Sequence, residues 1–105
     1  MPLSPPLTEE QRRRALEKAA IARRKRAELK EQLKRGSTSL KDLLGRTDDE
    51  IVGKMKVSTV LEALPDVGRV RAQKIMERLE IKPSRRMRGL GQKQRVNLLE
   101  EFARR

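Results

Sequence analysis

The chain has 105 residues, of which 27 are Lys or Arg and 15 are Asp or Glu, so its formal net charge is +12. Only 35% of the residues are hydrophobic and only one is aromatic, which allows one small aliphatic core and excludes a deep catalytic pocket. Cysteine and histidine are both absent, which excludes disulfides, thiolate nucleophiles and nearly every tetrahedral zinc site. The excess of positive charge favours a polyanionic partner, above all nucleic acid. We expect no cofactor and no metal.

The first residues contain no apolar segment of the kind that a signal peptide needs, and no stretch approaches the ~18 apolar residues that span a bilayer. We therefore expect a cytoplasmic protein that makes no membrane contact. Residues 1–7 hold three prolines and are predicted to be disordered.

A basic N-terminal helix is predicted over residues 8–35. Thr8 can cap it, Gln11 can complete a capping box, and no glycine or proline follows before Gly36. Arg26 stands where the thin apolar stripe calls for another apolar residue, so we expect the inner end of the helix to dock and the outer end to project. The stripe consists of Ala15, Ala19, Ala22, Leu29 and Leu33.

The mildly acidic segment 36–66 is predicted to form short helices. The stretch "STSLKDLLG" places leucines on one face before Gly45, and "TDDE" at 47–50 indicates a second capping box. Ser58 or Thr59 is expected to cap a third short helix that Pro65 ends.

Two longer helices follow, because apolar residues recur at intervals of three and four. The first is predicted from Ala72, Ile75, Met76 and Leu79, and the last from Val96, Leu98, Leu99 and Phe102. No stretch alternates with the period of a strand, so the predicted fold is all-α.

The stretch "LPDVGRV" predicts a hairpin between two helices. Unpaired N–H groups at the start of the second helix, together with the permissive Gly68, would suit a phosphate, and residues 69–95 carry a net charge of +8. The alternative is that the glycine only forms a turn and the cations only face solvent. The candidate contacts here are Pro65, Val67, Gly68, Arg69, Val70, Arg71 and Lys74.

The stretch "RRMRGLG" places Arg85, Arg86 and Arg88 beside Gly89 on a short turn that follows Pro83. Guanidinium groups are planar, permanently charged donors, and three of them this close repel one another unless an anion lies among them. We predict that they contact phosphates. Lys54 and Lys56 are further candidates, with solvated surface as the alternative.

Pro-x-Val-Gly followed by an alanine resembles the helix-hairpin-helix family, and the connection "IKPSRRMRGLG" between two helices resembles the helix-two-turns-helix module. The arrangement from "KVSTVLEALPDVGRVRAQKIMERL" to "RRMRGLG" is closely similar to the actinobacterial integration host factor family. The resemblance implies a long N-terminal helix followed by a DNA-binding domain over 36–105. It also implies a nucleoid-associated protein that binds duplex DNA through backbone phosphates and the minor groove, with low sequence specificity, and bends or compacts it. Asp66 stands where the family commonly has glycine, so we expect its carboxylate to point away or to cap the helix.

Other functions remain open at this point. A helix-two-turns-helix module also occurs in a small-subunit ribosomal protein, so RNA binding is the alternative. Helix-two-turns-helix glycosylases use an N-terminal proline amine, but Leu3 replaces the acidic residue that follows it there, and we expect no enzyme. The N-terminal helix could serve as a DNA arm or contact recombination or nucleoid proteins, and its broken apolar stripe predicts a monomer in solution.

Overall fold

The computed structural model describes residues 8–103, which are helical and contain no strand; a single antiparallel bridge joins Lys56 and Arg86. The all-α prediction is confirmed. The segment 1–7, predicted to be disordered, lies outside the described residues. The elements are α1 (Glu9–Arg35), α2 (Leu40–Leu44), α3 (Glu50–Lys54), α4 (Val57–Ala63), α5 (Gly68–Arg78), a 3-10 turn (Met87–Gly89) and α6 (Gln92–Ala103).

Helix α1 begins and ends as its sequence predicts. The Thr8 hydroxyl accepts from the Gln11 N–H, the Gln11 side chain accepts from the Thr8 N–H, and Gly36 ends the helix with a φ of 79°. Residues 9–21 are exposed along their whole length, which at ~1.5 Å per residue is a projection of roughly 20 Å. Leu29 and Leu33 are buried, so the inner end docks on the remaining helices.

The core is aliphatic and continuous from α1 to α6. Helices α4 and α5 pack along each other, α1 lies against α3 and α4, and α2 lies against α6. No polar side chain is buried among the described residues. Within the same part of the chain, no helix is long and apolar enough to cross a membrane. The most completely buried side chains are Leu33, Leu43, Leu61, Met87, Leu98, Val52, Val57 and Val60.

The start of α3 differs from the predicted capping box at 47–50. Asp49 is the N-cap, and its Oδ1 accepts from the N–H groups of Ile51 and Val52 at 2.8 and 3.1 Å. The Thr47 hydroxyl instead accepts from the Arg95 guanidinium at 2.6 Å. The Thr47 hydroxyl, which the local pattern predicted as part of the cap, therefore bonds to α6 instead.

The start of α4 also differs from prediction, because neither Ser58 nor Thr59 caps it. Lys56 is the N-cap and no side chain bonds to this helix end. The Val57 N–H donates to the Arg85 carbonyl at 2.9 Å, so backbone from a distant part of the chain satisfies it.

In α6 the predicted apolar face is wrong at its first position. Val96 is 42% exposed, whereas Leu98 is buried. The preceding Arg95 lies inward, and its guanidinium donates to the Leu44 carbonyl at 2.8 Å as well as to Thr47. The Arg95 side chain, with its long aliphatic stem and two hydrogen bonds, lies on the inward face where Val96 was expected.

Candidate nucleic-acid interface

The arginine turn, defined as residues 85–89, is attached to the α3–α4 connection by main-chain hydrogen bonds. The Met87 N–H donates to the Met55 carbonyl at 2.8 Å, and the Arg85 carbonyl accepts from the Val57 N–H. The Met87 side chain is fully buried. The backbone and one apolar anchor therefore hold the turn.

The three arginines surround one shallow depression of about 310 Å³. Arg85 is half-buried, and its guanidinium donates to the Gly89 carbonyl at 3.2 Å. Arg86 is exposed and donates to the Lys54 carbonyl. Arg88 is exposed as well. Each bond uses one donor of a guanidinium that has five, so donors remain for an anion in the depression.

The glycine of the arginine turn serves a spatial purpose. Gly89 does not have a positive φ, so no left-handed conformation requires a glycine at this position. A Cβ on Gly89 would lie 3.3 Å from the Arg85 side chain, which crosses this glycine to reach its carbonyl. The missing side chain leaves room for the arginine.

The structure brings further cations to the arginine turn. Lys54 and Lys56 lie on the connection that the turn contacts, and both are exposed. Lys54 also pairs with Glu50 at 3.0 Å, and this contact lowers the pKa of the Glu50 carboxyl. Lys82 and Ser84 line the depression and were missed by the sequence analysis, although their place just before the arginines was a usable signal.

The hairpin, defined as residues 65–68, depends on two left-handed residues. Asp66 has a φ of 63° and Gly68 a φ of 68°. Glycine adopts this conformation without cost and aspartate is among the few other residues that tolerate it, which explains why a glycine suits position 66. Of the two alternatives for Asp66, capping of α5 is excluded, because Val67 is the N-cap and no side chain bonds to this helix end. The amino end of α5 thus stays open to an external anion.

The apolar edge of the hairpin differs from the predicted one. Val67 is 6% exposed and belongs to the core, so its side chain cannot contact DNA. Pro65 is exposed at the tip, and Val70, the third residue of α5, is 65% exposed. The exposed apolar pair is therefore Pro65 with Val70.

Three cations follow the hairpin on α5. Arg69 is 85% exposed at its side chain and lies 4.0 Å from a Glu62 oxygen, Arg71 donates to the Asp66 carbonyl at 3.5 Å, and Lys74 is exposed. These contacts are long and solvated, so they restrain the side chains weakly.

The arginine turn and the hairpin lie at opposite ends of α4. The turn bonds to Val57 at its start, and Leu64 and Pro65 follow its end. Seven residues at ~1.5 Å each separate the two by roughly 10 Å. Glu80, with a φ of 57°, reverses the chain after α5, which returns it toward the start of α4. Two groups of donors thus lie on one small scaffold at a fixed separation.

A helix pair joined by two successive turns, with a basic depression at the second, defines a helix-two-turns-helix domain, and residues 33–102 match the S13-like H2TH domain family. The chain belongs to the integration host factor family. It is 65% identical over 99 residues to "Integration host factor" of Mycolicibacterium smegmatis (strain ATCC 700084 / mc(2)155), covering 93% of this chain and 94% of that protein. Identity is 64% to the protein of that name from Mycobacterium tuberculosis (strain ATCC 25618 / H37Rv), with the same coverage. Identity to the protein of that name from Streptomyces coelicolor (strain ATCC BAA-471 / A3(2) / M145) is 57%, and the match covers 93% of this chain and 92% of that protein.

A solved structure described as "Structure of sIHF bound to an 8bp palindromic DNA" has the same fold. Its TM-score is 0.78 at 55% sequence identity, and the match covers 82% of this chain and 98% of that chain.

Proposed function

We propose that the chain is a nucleoid-associated architectural protein that binds duplex DNA through backbone phosphates and bends it. The observation that carries the proposal is the arginine turn, where three guanidiniums share one depression on a turn fixed by main-chain hydrogen bonds. Donors already held in place lose little conformational entropy when a phosphate arrives. The relatives named integration host factor, and the related complex with DNA, agree with this proposal.

The hairpin supplies the second contact in this proposal. The open amino end of α5 with Arg69, Arg71 and Lys74 would hold a phosphate, while Pro65 and Val70 would face the minor groove. Phosphates held at both ends of α4 need not match a straight duplex. Bending costs about 1 to 6 kcal/mol, which the second set of contacts offsets, and flexible steps are then preferred without base hydrogen bonds.

The proposed role needs no catalytic residue and no partner subunit. We expect a protein that is monomeric in solution and acts in the nucleoid. The RNA-binding alternative gains no support from the named relatives or from the solved complex. Competition by an RNA duplex of equal length is nevertheless the right control, because phosphate contacts alone do not distinguish the two polymers.

The test is the salt dependence of binding to a ~30 base-pair duplex, measured by fluorescence anisotropy. Each phosphate contact contributes about 0.9 to the slope of log K against log salt. Replacing Arg85, Arg86 and Arg88 together by Gln should lower the slope by about 2 to 3 and weaken binding on all sequences alike.

Lys41→Gln is the single-charge control, because Lys41 is an exposed cation on α2 outside the depression. Its slope should match that of the unsubstituted protein. The slope for Arg88→Gln alone should be lower by the contribution of about one phosphate contact. An unchanged slope in the triple variant would remove the arginine turn from the interface. Equal competition by the RNA duplex would refute a preference for DNA.

A further inference from the structure

Arg26 interrupts the apolar stripe of α1, and the fold gives a reason for the interruption. Its side chain is half-buried and lines an open groove of about 520 Å³ between α1 and the α3–α4 connection. We call this the α1 groove. Six of its lining residues are cations, namely Arg23, Arg26 and Lys30 on α1, and Lys54, Lys56 and Arg86 across from them.

The charges of the α1 groove are almost uncompensated. No carboxylate lines it among the described residues. Of the six cations, only Lys54 forms an ion pair in that part of the chain, with Glu50 four residues earlier on α3. Cations gathered this closely repel one another, and the repulsion destabilises the folded chain unless an anion occupies the space between them.

The α1 cations are spaced to follow a linear polyanion. Arg23, Arg26 and Lys30 recur at intervals of three and four, which puts them on one face of the helix. They extend over roughly 10 Å along the axis. One strand of duplex DNA places a phosphate about every 3.4 Å of its axis, so this length corresponds to about three phosphates.

We propose that the α1 groove holds the phosphodiester backbone of the duplex where it continues from the arginine turn. Arg86 lines both the depression and the groove, so one strand can pass from one to the other without leaving the basic surface. The inference rests on the proposed function and adds a specific site to it. The inner part of α1 binds DNA through one face, and the remaining basic residues of the helix contribute only diffuse charge.

The test compares two triple variants of the full chain that lose the same charge. The groove variant carries Arg23→Gln, Arg26→Gln and Lys30→Gln. The control variant carries Arg13→Gln, Arg24→Gln and Arg35→Gln, all on exposed positions of α1 outside the groove. Glutamine has nearly the helix propensity of the residues it replaces, and circular dichroism verifies that both variants keep their helix content.

Binding to the ~30 base-pair duplex is then measured at several salt concentrations. The groove variant should lose about 2 to 3 from the slope of log K against log salt and bind about tenfold more weakly at physiological salt. The control variant should change the slope by less than about 1.

Equal losses in the two variants would show that α1 acts through its total charge, and an unaltered groove variant would show that α1 does not bind. Either result overturns the inference. The proposed function is judged separately, by the arginine-turn variants in the unaltered α1 background. A protein that loses binding there but not in the groove variant keeps the proposed function without this site.

Discussion

Gly53 is the position where one added methyl group should do most damage to the structure. It is the fourth residue of α3, buried between the loop at Thr47 and the arginine turn. A Cβ there would lie 2.4 Å from the Thr47 carbonyl oxygen and 3.3 Å from the Arg88 Cβ. The first atom belongs to the backbone, so no side-chain rotation relieves the overlap, and α3 must move away from the loop or the turn.

The expected change in the free energy of unfolding for Gly53→Ala is the difference between two opposing effects. Overpacking a tight site costs about 1 to 3 kcal/mol, and a backbone overlap of this size belongs at the upper end. Alanine regains about 1 kcal/mol through its better helix propensity. We therefore expect the free energy of unfolding to fall by about 2 kcal/mol, which lowers the Tm of a domain of this size by roughly 10 °C.

Thermal and urea unfolding followed by circular dichroism would measure the effect. The matched control is Gly45→Ala, because Gly45 has an ordinary φ of −80° and its Cβ would meet its nearest neighbour at 3.5 Å. That substitution should be neutral or slightly stabilising, since it only restricts the unfolded chain. Equal stability of the two variants would refute the packing described for α3.

Two further predictions concern the cap of α3 and the bend in DNA. Asp49→Ala should lower the free energy of unfolding by about 1 kcal/mol at neutral pH, through loss of the N-cap. The backbone N–H of Val52 is the main cause of the lowered pKa of Asp49, so its stabilising contribution is present above the ordinary carboxyl pKa and is lost as the pH falls through the lowered one. Urea unfolding of both proteins should therefore show a difference at about pH 7 that shrinks in acid, and a difference independent of pH would contradict this origin. Energy transfer between dyes at the ends of a ~30 base-pair duplex should rise on binding, and Gly68→Glu should abolish the rise while the arginine turn still binds. An end-to-end distance unchanged at saturating protein would refute bending.

Local patterns were sufficient for most of the helices. The capping box at Thr8, the end of α1 at Gly36 and the spacing of Ala72, Ile75 and Met76 all involve residues close in sequence, and each was predicted correctly. Such signals depend on bonds between a residue and its neighbours within one turn.

The errors have a common physical cause in contacts across the chain. The Thr47 hydroxyl bonds to Arg95, 48 residues away, and the start of α4 is satisfied by the carbonyl of Arg85. The inward position of Arg95 was not predicted, because nothing near it in sequence shows that α2 lies opposite. Burial of Val67 was missed because it depends on how the helices pack together, which the residues of the hairpin alone do not show.

The candidate cations were recognisable by charge, but their grouping was not. The arginine turn meets Lys56 through a backbone bridge and Lys54 through the Arg86 side chain, and these partners lie about thirty positions apart in sequence. The role of Arg26 depends on which helices flank it, and a broken apolar stripe alone does not reveal that.

The main-chain attachment of the arginine turn has an evolutionary consequence. The carbonyls of Met55 and Arg85 and the buried Met87 attach the turn without the outward Arg88 side chain, so this side chain can be exchanged with little effect on the fold. Under the proposed function, a substitution there would change the affinity for DNA at little cost in stability, so lineages living at different internal ionic strengths could retune that affinity. Selection on binding and selection on folding would then act on different atoms of the same five residues.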